Sequence, residues 1–400
     1  MQQQLKNLRA ELQEELTQLL AWWGNYTLDE DFGGFHGKVT NENHVIFSPK
    51  GLVLNARILY TFSSAYLLSK KPEDLAMANR AYQYLTNFFT DKKEGGFYWS
   101  LSIEGKPLDQ KKQVYGQSFA IYALSEYYKA TLEETALTLA QETYQLLEKH
   151  SYDKVDTGYI EAHTKDWKPL SDLRLSEKDQ NDKKSMNTHL HVIEAYANLY
   201  LVWPDDGLKA AIKRLLANFK AHIIHPQTGH LQLFFDMDWK AKSSLISFGH
   251  DIEAAWLLLE AAEIINDKEE IQDFKILALK TADAAARGLH ANGGLVYEFD
   301  QENQHWINEF HWWPQAEAMV GFFNAWQISG NENYLKQTFN IWEFIKKYLK
   351  DTKNGEWFWG VDEVLLPMQN EDKAGFWKCP YHNGRACIEI IKRIAQTANS

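Results

Sequence analysis

A short glycine-containing segment recurs six times along the 400-residue chain, and this repeat limits the possible folds more than any other feature. The last glycine of each segment stands at position 34, 96, 158, 229, 294 or 355, so the intervals are 62, 62, 71, 65 and 61 residues. Glycine permits a tight turn, and the residues that follow it are typical of short strands, as in Phe97-Tyr98-Trp99, Leu231–Phe234 and Trp357-Phe358-Trp359. A near-constant period of this length indicates one structural unit repeated six times.

Stretches with helical periodicity lie between the glycine segments. In 206–224, apolar residues recur at Leu208, Ile212, Leu215, Leu216 and Phe219, which is a helical period. The same pattern predicts twelve helices in six pairs, over 5–23, 51–69, 73–90, 114–129, 132–149, 186–202, 206–224, 249–265, 269–288, 312–328, 331–349 and 381–396.

The links between these helices alternate in length. Some, such as Lys70–Pro72 and Ser329–Gly330, are very short, whereas the others run for tens of residues and contain the glycine segments. This alternation predicts an all-α fold, a closed (α/α)6 barrel of six helical hairpins with short β-hairpins in the long loops; an open helical solenoid is the alternative. No Pro/Ser-rich linker divides the chain, so residues 1–400 are predicted to form one catalytic domain. Long loops usually carry function, and these lead into the even-numbered helices, so the working face is expected where those inner helices begin.

Composition and charge exclude several classes of protein. The formal net charge of −12 argues against nucleic-acid binding, and no run of 18 apolar residues predicts a membrane span. The first residues lack the apolar stretch of a signal peptide, and Cys379 and Cys387 cannot form a disulfide framework, so a cytoplasmic protein with a small-molecule partner is expected. The 15 tryptophans either pack the core or stack on sugar rings.

The first turns of the predicted inner helices carry residues that are unusual for a core. These are Arg57, Tyr115, Gln117, Asn187, His189, His191, His250, Glu253, Trp313 and Glu317, with Trp377 and His382 at the start of the last helix. Each has a structural interpretation: a helical histidine is often only hydrogen-bonded, Arg57 can pair with a carboxylate, Trp313 can belong to the core and Glu253 can cap its helix. Their coincidence on six distant helices favours a site, because a purely structural barrel would place aliphatic residues there.

Several groups that titrate near neutrality, with no cofactor motif, fit proton transfer. Removing a proton beside a carbonyl and returning it from the other face needs two acid/base groups on opposite sides, and histidines on facing helices meet that requirement. Arg57 or a third histidine can stabilise the enediolate oxygen. His189 and His191 point about 200° apart on a helix, which argues against a metal site at this pair, and neither a metal nor an organic cofactor is predicted.

Four motifs resemble those of the cellobiose 2-epimerases, a family within the N-acylglucosamine 2-epimerase superfamily. They are Lys184-Ser-Met-Asn-Thr-His-Leu-His191, Ser247-Phe-Gly-His-Asp251, Trp312-Trp-Pro-Gln-Ala-Glu317 and Lys378-Cys-Pro-Tyr-His-Asn-Gly-Arg385. The resemblance runs from about Leu5 to the last helix and implies an (α/α)6 barrel.

The resemblance also implies a reaction, which is reversible epimerisation at C2 of the reducing-end glucose of β-1,4 disaccharides through ring opening and a cis-enediolate. His250 and His382 match the acid/base pair of the family, and His191 matches a third essential histidine. The residues that match those holding the sugar are Arg57, Tyr115, Asn187, Glu253 and Glu317, and those that stack on it are Trp313 and Trp377. No metal or cofactor is implied.

Four alternatives remain open. The substrate can instead be mannose or N-acylglucosamine, or the enediolate can be protonated at C1 to give a ketose. An (α/α)6 glycoside hydrolase would use two carboxylates such as Asp251 and Glu317, and a non-catalytic carbohydrate-binding or scaffold protein would bind sugar without turnover. The polar segment 165–185 is equally interpreted as a solvated loop or a mobile lid.

Overall fold

The computed structural model describes residues 1–176 and 179–397. Within these residues the fold consists of twelve α-helices, in the order α1 (Gln2–Tyr26), α2 (Leu52–Ser69), α3 (Pro72–Tyr84), α4 (Val114–Thr131), α5 (Glu134–His150), α6 (Met186–Tyr200), α7 (Asp206–Asn218), α8 (Phe248–Ile264), α9 (Lys268–Ala285), α10 (Trp312–Ser329), α11 (Glu332–Phe344) and α12 (Tyr381–Thr397). Three of the odd-numbered helices end in a π-helical turn, over Leu85–Phe89, Phe219–Ile223 and Ile345–Leu349. All twelve helices predicted from the sequence are therefore present.

The even-numbered helices form a closed inner ring. Each contacts the next, from α2 through α4, α6, α8 and α10 to α12, and α12 returns to contact α2. The odd-numbered helices pack outside, each against its preceding inner helix, while α1 packs against α12. The chain is thus the predicted (α/α)6 barrel rather than an open solenoid. Five of its helix pairs are hairpins, and the two chain ends form the sixth.

Burial explains which helices lie inside. The first fourteen residues of α2 are all buried, and so are those of α4, because each of these helices is covered on every side. An outer helix such as α7 buries only one stripe, at Leu208, Ala211, Ile212, Leu215 and Leu216. The hydrophobic core therefore fills the space between the two rings.

Short strands connect neighbouring repeats at one end of the barrel. They are β1 (Lys50–Gly51), β2 (Ser100–Leu101), β3 (Pro107–Asp109), β4 (Lys112–Gln113), β5 (Ala162–His163), β6 (Lys184–Ser185), β7 (Phe234–Phe235), β8 (Leu245–Ser247), β9 (Glu298–Asp300), β10 (His305–Ile307), β11 (Phe310–His311) and β12 (Gly360–Val361). The strand before an inner helix pairs antiparallel with the strand after the next glycine segment, as in β1–β2, β4–β5, β6–β7, β8–β9 and β11–β12. A bridge between Val39 and Ala374 makes the sixth such connection.

Within the described residues β2–β3 and β9–β10 also pair inside one loop, and single bridges close equivalent short hairpins in the other loops, at Val39–Val45, His163–Pro169, Phe235–Ala241 and Val361–Pro367. The short β-hairpins predicted in the long loops are therefore present, and the strands join neighbouring repeats in addition. The strands lie at or just after the sequence-predicted positions. Phe97, for example, forms a single bridge with Thr90, and the paired strand β2 begins three residues later.

The glycine segments are tight turns that fold back onto the end of the preceding outer helix. In the third turn Gly158 has φ = +79°, and a Cβ there would lie 2.4 Å from Trp239 and 2.7 Å from His189 Nε2. Both the backbone conformation and the close approach therefore require glycine.

Buried ion pairs attach four of these turns to the chain before an inner helix. In each pair a lysine ammonium contacts an aspartate that begins the turn: Lys50–Asp29, Lys112–Asp91, Lys184–Asp153 and Lys373–Asp351. Burial of both partners makes loss of either one costly, since it leaves an unpaired charge.

No helix within the described residues is long and apolar enough to cross a membrane.

Candidate active site

The second and sixth residues of the inner helices point toward the barrel axis. The second residues include Tyr115, Asn187, Trp313 and His382, and the sixth include Arg57, His191, Glu253 and Glu317; in α8 the third residue, His250, does the same. Positions two and six share a helix face, so the closed ring brings side chains from six distant segments to the same end of the barrel.

A cleft of about 1250 Å³ opens at this end of the barrel. Nine of the ten residues predicted from the sequence line it: Arg57, Tyr115, Asn187, His191, His250, Glu253, Trp313, Trp377 and His382. Glu317 is not among the lining residues. It lies one layer deeper, behind His382.

His382 is held from below by Glu317. Its Nδ1 atom lies 2.7 Å from Glu317 Oε1, and both side chains are almost fully buried. Burial opposes ionisation of Glu317, but Arg385 and His382 outweigh it and lower the pKa of this carboxyl to about 2. A carboxylate only accepts hydrogen bonds, so Nδ1 carries the proton and Nε2 is left to act as a base.

Two further histidines that line the cleft are also held at Nδ1. His191 Nδ1 lies 2.8 Å from Glu194 Oε2, and His250 Nδ1 lies 2.8 Å from the hydroxyl of Ser247. Burial lowers the pKa of His191, and lowers the pKa of both His250 and His382 to about 3, so these three histidines are neutral at pH 7. Each presents Nε2 as its remaining ring nitrogen.

A buried charge cluster lies directly beneath the histidines. Arg385 Nη2 donates to Glu253 at 2.9 Å and to Glu317 at 2.7 Å, while Nη1 contacts Glu194. Burial and the neighbouring Glu317 raise the pKa of Glu253 well above the range of an ordinary carboxyl, which makes Glu253 the member that holds a proton. The cluster therefore combines two carboxylates, one carboxylic acid and one guanidinium.

This cluster contains the one group of three side chains, within the described part of the chain, that is spaced closely enough to ligate a metal ion: Glu253, Glu317 and His382. The Arg385 guanidinium already donates to both carboxyl groups. A divalent cation would have to displace that charge, so the arrangement does not fit a metal site.

Arg57 is a buried cation among uncharged partners. Its guanidinium donates to the Tyr115 hydroxyl at 2.7 Å and to the Trp377 carbonyl at 3.4 Å, and it lies 4.1 Å from the centre of the Phe119 ring. None of these hydrogen-bond or ring partners carries a negative charge. The positive charge is thus left to interact with whatever occupies the cleft.

Tryptophans form two walls of the cleft. The Trp313 ring lies 4.6 Å from that of His250 and 5.7 Å from that of His382, measured between ring centres. Trp377 contacts Trp99 and Tyr115, each at 5.9 Å between ring centres. Both Trp313 and Trp377 are half-buried and present part of their indole to the cleft.

The fourth residue of an inner helix points the other way, toward the glycine turn. His189 Nε2 accepts a hydrogen bond from the Tyr159 N–H at 2.8 Å, and Asp251 accepts one from the Leu231 N–H at 2.8 Å. Gln117 and Gln315 make the equivalent contacts with Phe97 and Leu295. None of these four lines the cleft, so each secures a turn to its helix.

The polar segment 165–185 borders the cleft. Leu175, Ser176, Asp179 and Gln180 lie along its edge, while Glu177 and Lys178 fall outside the described residues. This position is compatible with a lid, which stays a prediction.

Sequence reasoning missed two kinds of residue. The first is the set that holds the histidines, Glu194 and Arg385; a carboxylate three residues after His191 was an available signal. The second is the loop 366–371, which lines one side of the cleft and has no helical or strand pattern.

The chain is similar in sequence and in fold to known proteins. Residues 33–386 match the family model described as N-acylglucosamine 2-epimerase (GlcNAc 2-epimerase). A cellobiose 2-epimerase of Bacteroides fragilis is 46 % identical over 386 residues, with 96 % of this chain and 98 % of that one covered. A cellobiose 2-epimerase of Dictyoglomus turgidum is 40 % identical, with 98 % and 100 % covered. The solved cellobiose 2-epimerase of Spirochaeta thermophila superimposes with a TM-score of 0.93 at 38 % identity, covering 99 % of this chain and 98 % of that chain.

Proposed function

Because the chain belongs to the N-acylglucosamine 2-epimerase family, we propose that it epimerises C2 of the reducing-end sugar of β-1,4 disaccharides. Cellobiose then gives glucosyl-mannose, and lactose gives epilactose. That the chain is a sugar 2-epimerase follows from its relatives at 46 % and 40 % identity over nearly its whole length. The choice of a disaccharide rests on the names of these relatives and on a cleft of about 1250 Å³ with a tryptophan on each of two walls.

The observation that carries the proposal is that three histidines lining one cleft, His191, His250 and His382, are each held at Nδ1 and present Nε2 for proton transfer. His250 and His382 come from α8 and α12, on either side of α10, so a sugar between them is reached from two faces. One histidine removes the C2 proton of the open-chain sugar, which gives a cis-enediolate. The second histidine, on the opposite side of the planar enediolate, then returns a proton to the other face of C2.

Arg57 stabilises the negative charge of the enediolate oxygen. A buried guanidinium with only uncharged partners offers a preorganised cation in a site of low polarity, where it costs no reorganisation during the reaction. Tyr115 orients it through the hydrogen bond at 2.7 Å. His191, held by Glu194, is placed to support the same oxygen.

The proton that the reaction needs is stored in the cluster below the histidines. Both members of the acid/base pair are neutral near pH 7, yet one must be protonated to donate. Glu253 holds a proton in the same conditions, and its Oε1 lies 4.0 Å from His382 Nδ1. Glu253 and Glu317, which both accept from Arg385 Nη2, therefore hold one proton between them beside His382.

The remaining residues bind the sugar. Trp313 and Trp377 stack on its rings. The Oδ1 atom of Asn187 is buried without a protein partner, and it accepts a hydrogen bond from a sugar hydroxyl. Glu317 acts through His382 and Arg385 rather than on the sugar itself. Hydrolysis by an Asp251–Glu317 pair is disfavoured, because Asp251 is bound by His230 and by the Leu231 N–H away from the cleft.

One experiment tests the function and the substrate together. The protein is incubated separately with cellobiose, lactose, mannose, glucose and N-acetylglucosamine in deuterium oxide, and NMR follows both the products and deuterium at C2. We expect intact disaccharide epimers carrying deuterium at C2. Free glucose from cellobiose would indicate a hydrolase, turnover of monosaccharides alone would contradict the disaccharide assignment, and a ketose as the main product would indicate an isomerase.

A further inference from the structure

Arg385 connects the two histidine–carboxylate pairs of the site. It lies in the second turn of α12, is 1 % exposed, and reaches carboxyl groups on three other inner helices. Nη1 contacts Glu194 of α6, and Nη2 donates to Glu253 of α8 and Glu317 of α10. The path from His191 through Glu194, Arg385 and Glu317 to His382 is thus an unbroken series of hydrogen bonds.

We propose that Arg385 is a positioning residue that fixes the ring orientation and tautomer of His191 and His382 together, by holding Glu194 and Glu317 in place as carboxylates. The expected effect on catalysis rests on the proposed function. The structural coupling of His191 to His382 through Arg385 does not depend on that function. Arg385 does not line the cleft, so it acts through the two carboxylates and not on the sugar.

The physical argument starts from the cost of burying a carboxylate. Without a cation nearby, burial favours the protonated acid, whose O–H then competes to donate a hydrogen bond. A protonated Glu317 can donate to His382 Nδ1, which moves the ring proton to Nε2 and removes the base. The same holds for Glu194 and His191. Arg385 prevents both changes at once, because its charge lowers the pKa of each carboxyl.

The planar guanidinium is necessary for this task. It presents donors in a fixed fork, with one nitrogen toward Glu194 and the other toward Glu253 and Glu317. A lysine ammonium has no fork, so its single nitrogen replaces neither the contact of Nη1 with Glu194 nor the contacts of Nη2 with Glu253 and Glu317. The rings of Tyr381 and Trp256, with centres 4.2 and 4.8 Å from the guanidinium carbon, hold the plane in position.

The charged and titratable groups facing Arg385 come from every inner helix. They are Tyr60 of α2, Tyr122 of α4, His191 and Glu194 of α6, Glu253 and Glu260 of α8, Glu317 of α10, and Tyr381, His382 and Glu389 of α12 itself. His250 is absent from this set, since its Nδ1 is held by Ser247. It therefore serves as an internal reference.

The test is the Arg385→Lys variant labelled with ¹⁵N-histidine and observed by NMR without substrate. In the wild type, His191 and His382 are each expected as a single tautomer with the proton on Nδ1. In the variant, both should become tautomer mixtures while His250 keeps its spectrum. Unchanged signals for His191 and His382, or a change at only one of them, would overturn the proposal, and a change at all three would indicate general loss of structure and overturn it as well.

Kinetics give the second readout. Arg385→Lys should lower kcat about 10- to 100-fold, as changes behind a functional residue typically do, with KM within about twofold of wild type. Arg393→Lys is the matched control, since Arg393 lies eight residues further along α12 and bonds Asn324 and Gln327 away from the cleft. It should match the wild type in both kcat and KM. A wild-type kcat for Arg385→Lys would overturn the proposal.

If Arg385→Lys does not fold, Glu194→Gln replaces it, because that variant keeps the arginine. Glu194 has no hydrogen bond to His382, so a change in the His382 tautomer in this variant would support coupling through Arg385, and an unchanged His382 would overturn it. A wild type that shows no epimerisation but gives these spectra would contradict the proposed function and leave the coupling intact.

Discussion

His382 Nδ1 lies 2.7 Å from Glu317 Oε1, where α10 and α12 meet below the cleft. Arg385 and His382 keep the pKa of Glu317 at about 2 despite burial, so the partner of the histidine is a carboxylate across the working pH range. This pairing sets the tautomer of His382 and stabilises its imidazolium form once a proton has been accepted.

We predict that Glu317→Gln lowers kcat about 10- to 100-fold with little change in KM. Glutamine can accept the Nδ1–H bond, but it brings no charge to stabilise the imidazolium, and that form occurs only during the reaction. Steady-state rates with cellobiose would measure the effect. Glu332→Gln, at the exposed start of α11, is the control. An unchanged kcat for Glu317→Gln would mean that His382 does not need its carboxylate.

His189 has a role that the repeat itself explains. It stands at the fourth position of α6, where α4 and α10 carry Gln117 and Gln315, and all three side chains bond the backbone just after a glycine turn. We predict that His189→Gln folds and turns over like the wild type. His189→Leu leaves the buried Tyr159 N–H unpaired and should reduce the free energy of unfolding by about 1–3 kcal/mol.

Thermal unfolding and kcat, measured on the same preparations, check this prediction. The leucine variant should unfold at a lower temperature but keep its rate per folded molecule. A glutamine variant that is fully folded yet inactive would place His189 in the chemistry.

The sequence was sufficient to predict the twelve helices, their pairing and the face that carries the site. Periodicity and the glycine spacing are local signals, and the closed ring follows from them once five hairpins and the pair α1–α12 are present. Nine of the ten predicted site residues line the cleft. Seven of them do so because positions two and six of a helix share a face; the others are His250, at position three of α8, and Trp377, just before α12.

The pairing of the strands and the partners of the buried charges could not be predicted from local sequence signals. The partner of Val39 is Ala374, 335 residues away, and nothing local to either residue specifies it. Likewise, Arg385 gains its partners only when α6, α8 and α10 converge on α12. Glu317 was expected to bind the sugar, but the sequence alone does not distinguish a residue in the cleft from one that lies one layer below.

Trp377 should contribute mainly to binding. Its indole borders the cleft and stacks with neither the ring of His250 nor that of His382, so it meets the sugar in the ground state and the transition state alike. We predict that Trp377→Ala raises KM for cellobiose more than it lowers kcat. A collapsed kcat at unchanged KM, in the same steady-state assay, would instead place Trp377 beside the reacting carbon.

Chelation should leave activity unchanged. The group Glu253, Glu317 and His382 has the spacing of a metal site, but the Arg385 guanidinium already neutralises it. Activity is measured after dialysis against EDTA and again after adding Mg²⁺, Mn²⁺ or Zn²⁺. Loss on chelation with recovery on adding one of these ions would show that a metal takes part.

The acid/base pair should give a bell-shaped dependence of kcat/KM on pH, with the acid limb at low pH. Burial lowers the pKa of His250 and His382 from 6.5 to about 3, so the neutral base is lost only when the pH falls well below that of a free histidine. The acid midpoint of kcat/KM is therefore expected below pH 6.5.

The basic limb of the same profile reports the shared proton. The pKa of Glu253 is raised well above that of an ordinary carboxyl, so this group keeps its proton to a higher pH than a free glutamic acid and loses it as the pH rises further. Glu253→Gln removes the titrating group, so the basic limb assigned to it should disappear from the profile.

Substitution of either histidine tests the assignment itself. His250→Asn and His382→Asn should each fold normally and lose about 10²-fold or more in kcat, as loss of a general acid or base typically does. Each histidine serves one face of C2, so neither can replace the other. Exchange of the C2 proton into deuterium oxide separates the two roles, because a variant that lacks only the returning acid still removes the proton and can exchange it without inverting C2. Near-wild-type turnover in either variant would contradict the assignment of His250 and His382 as the acid/base pair.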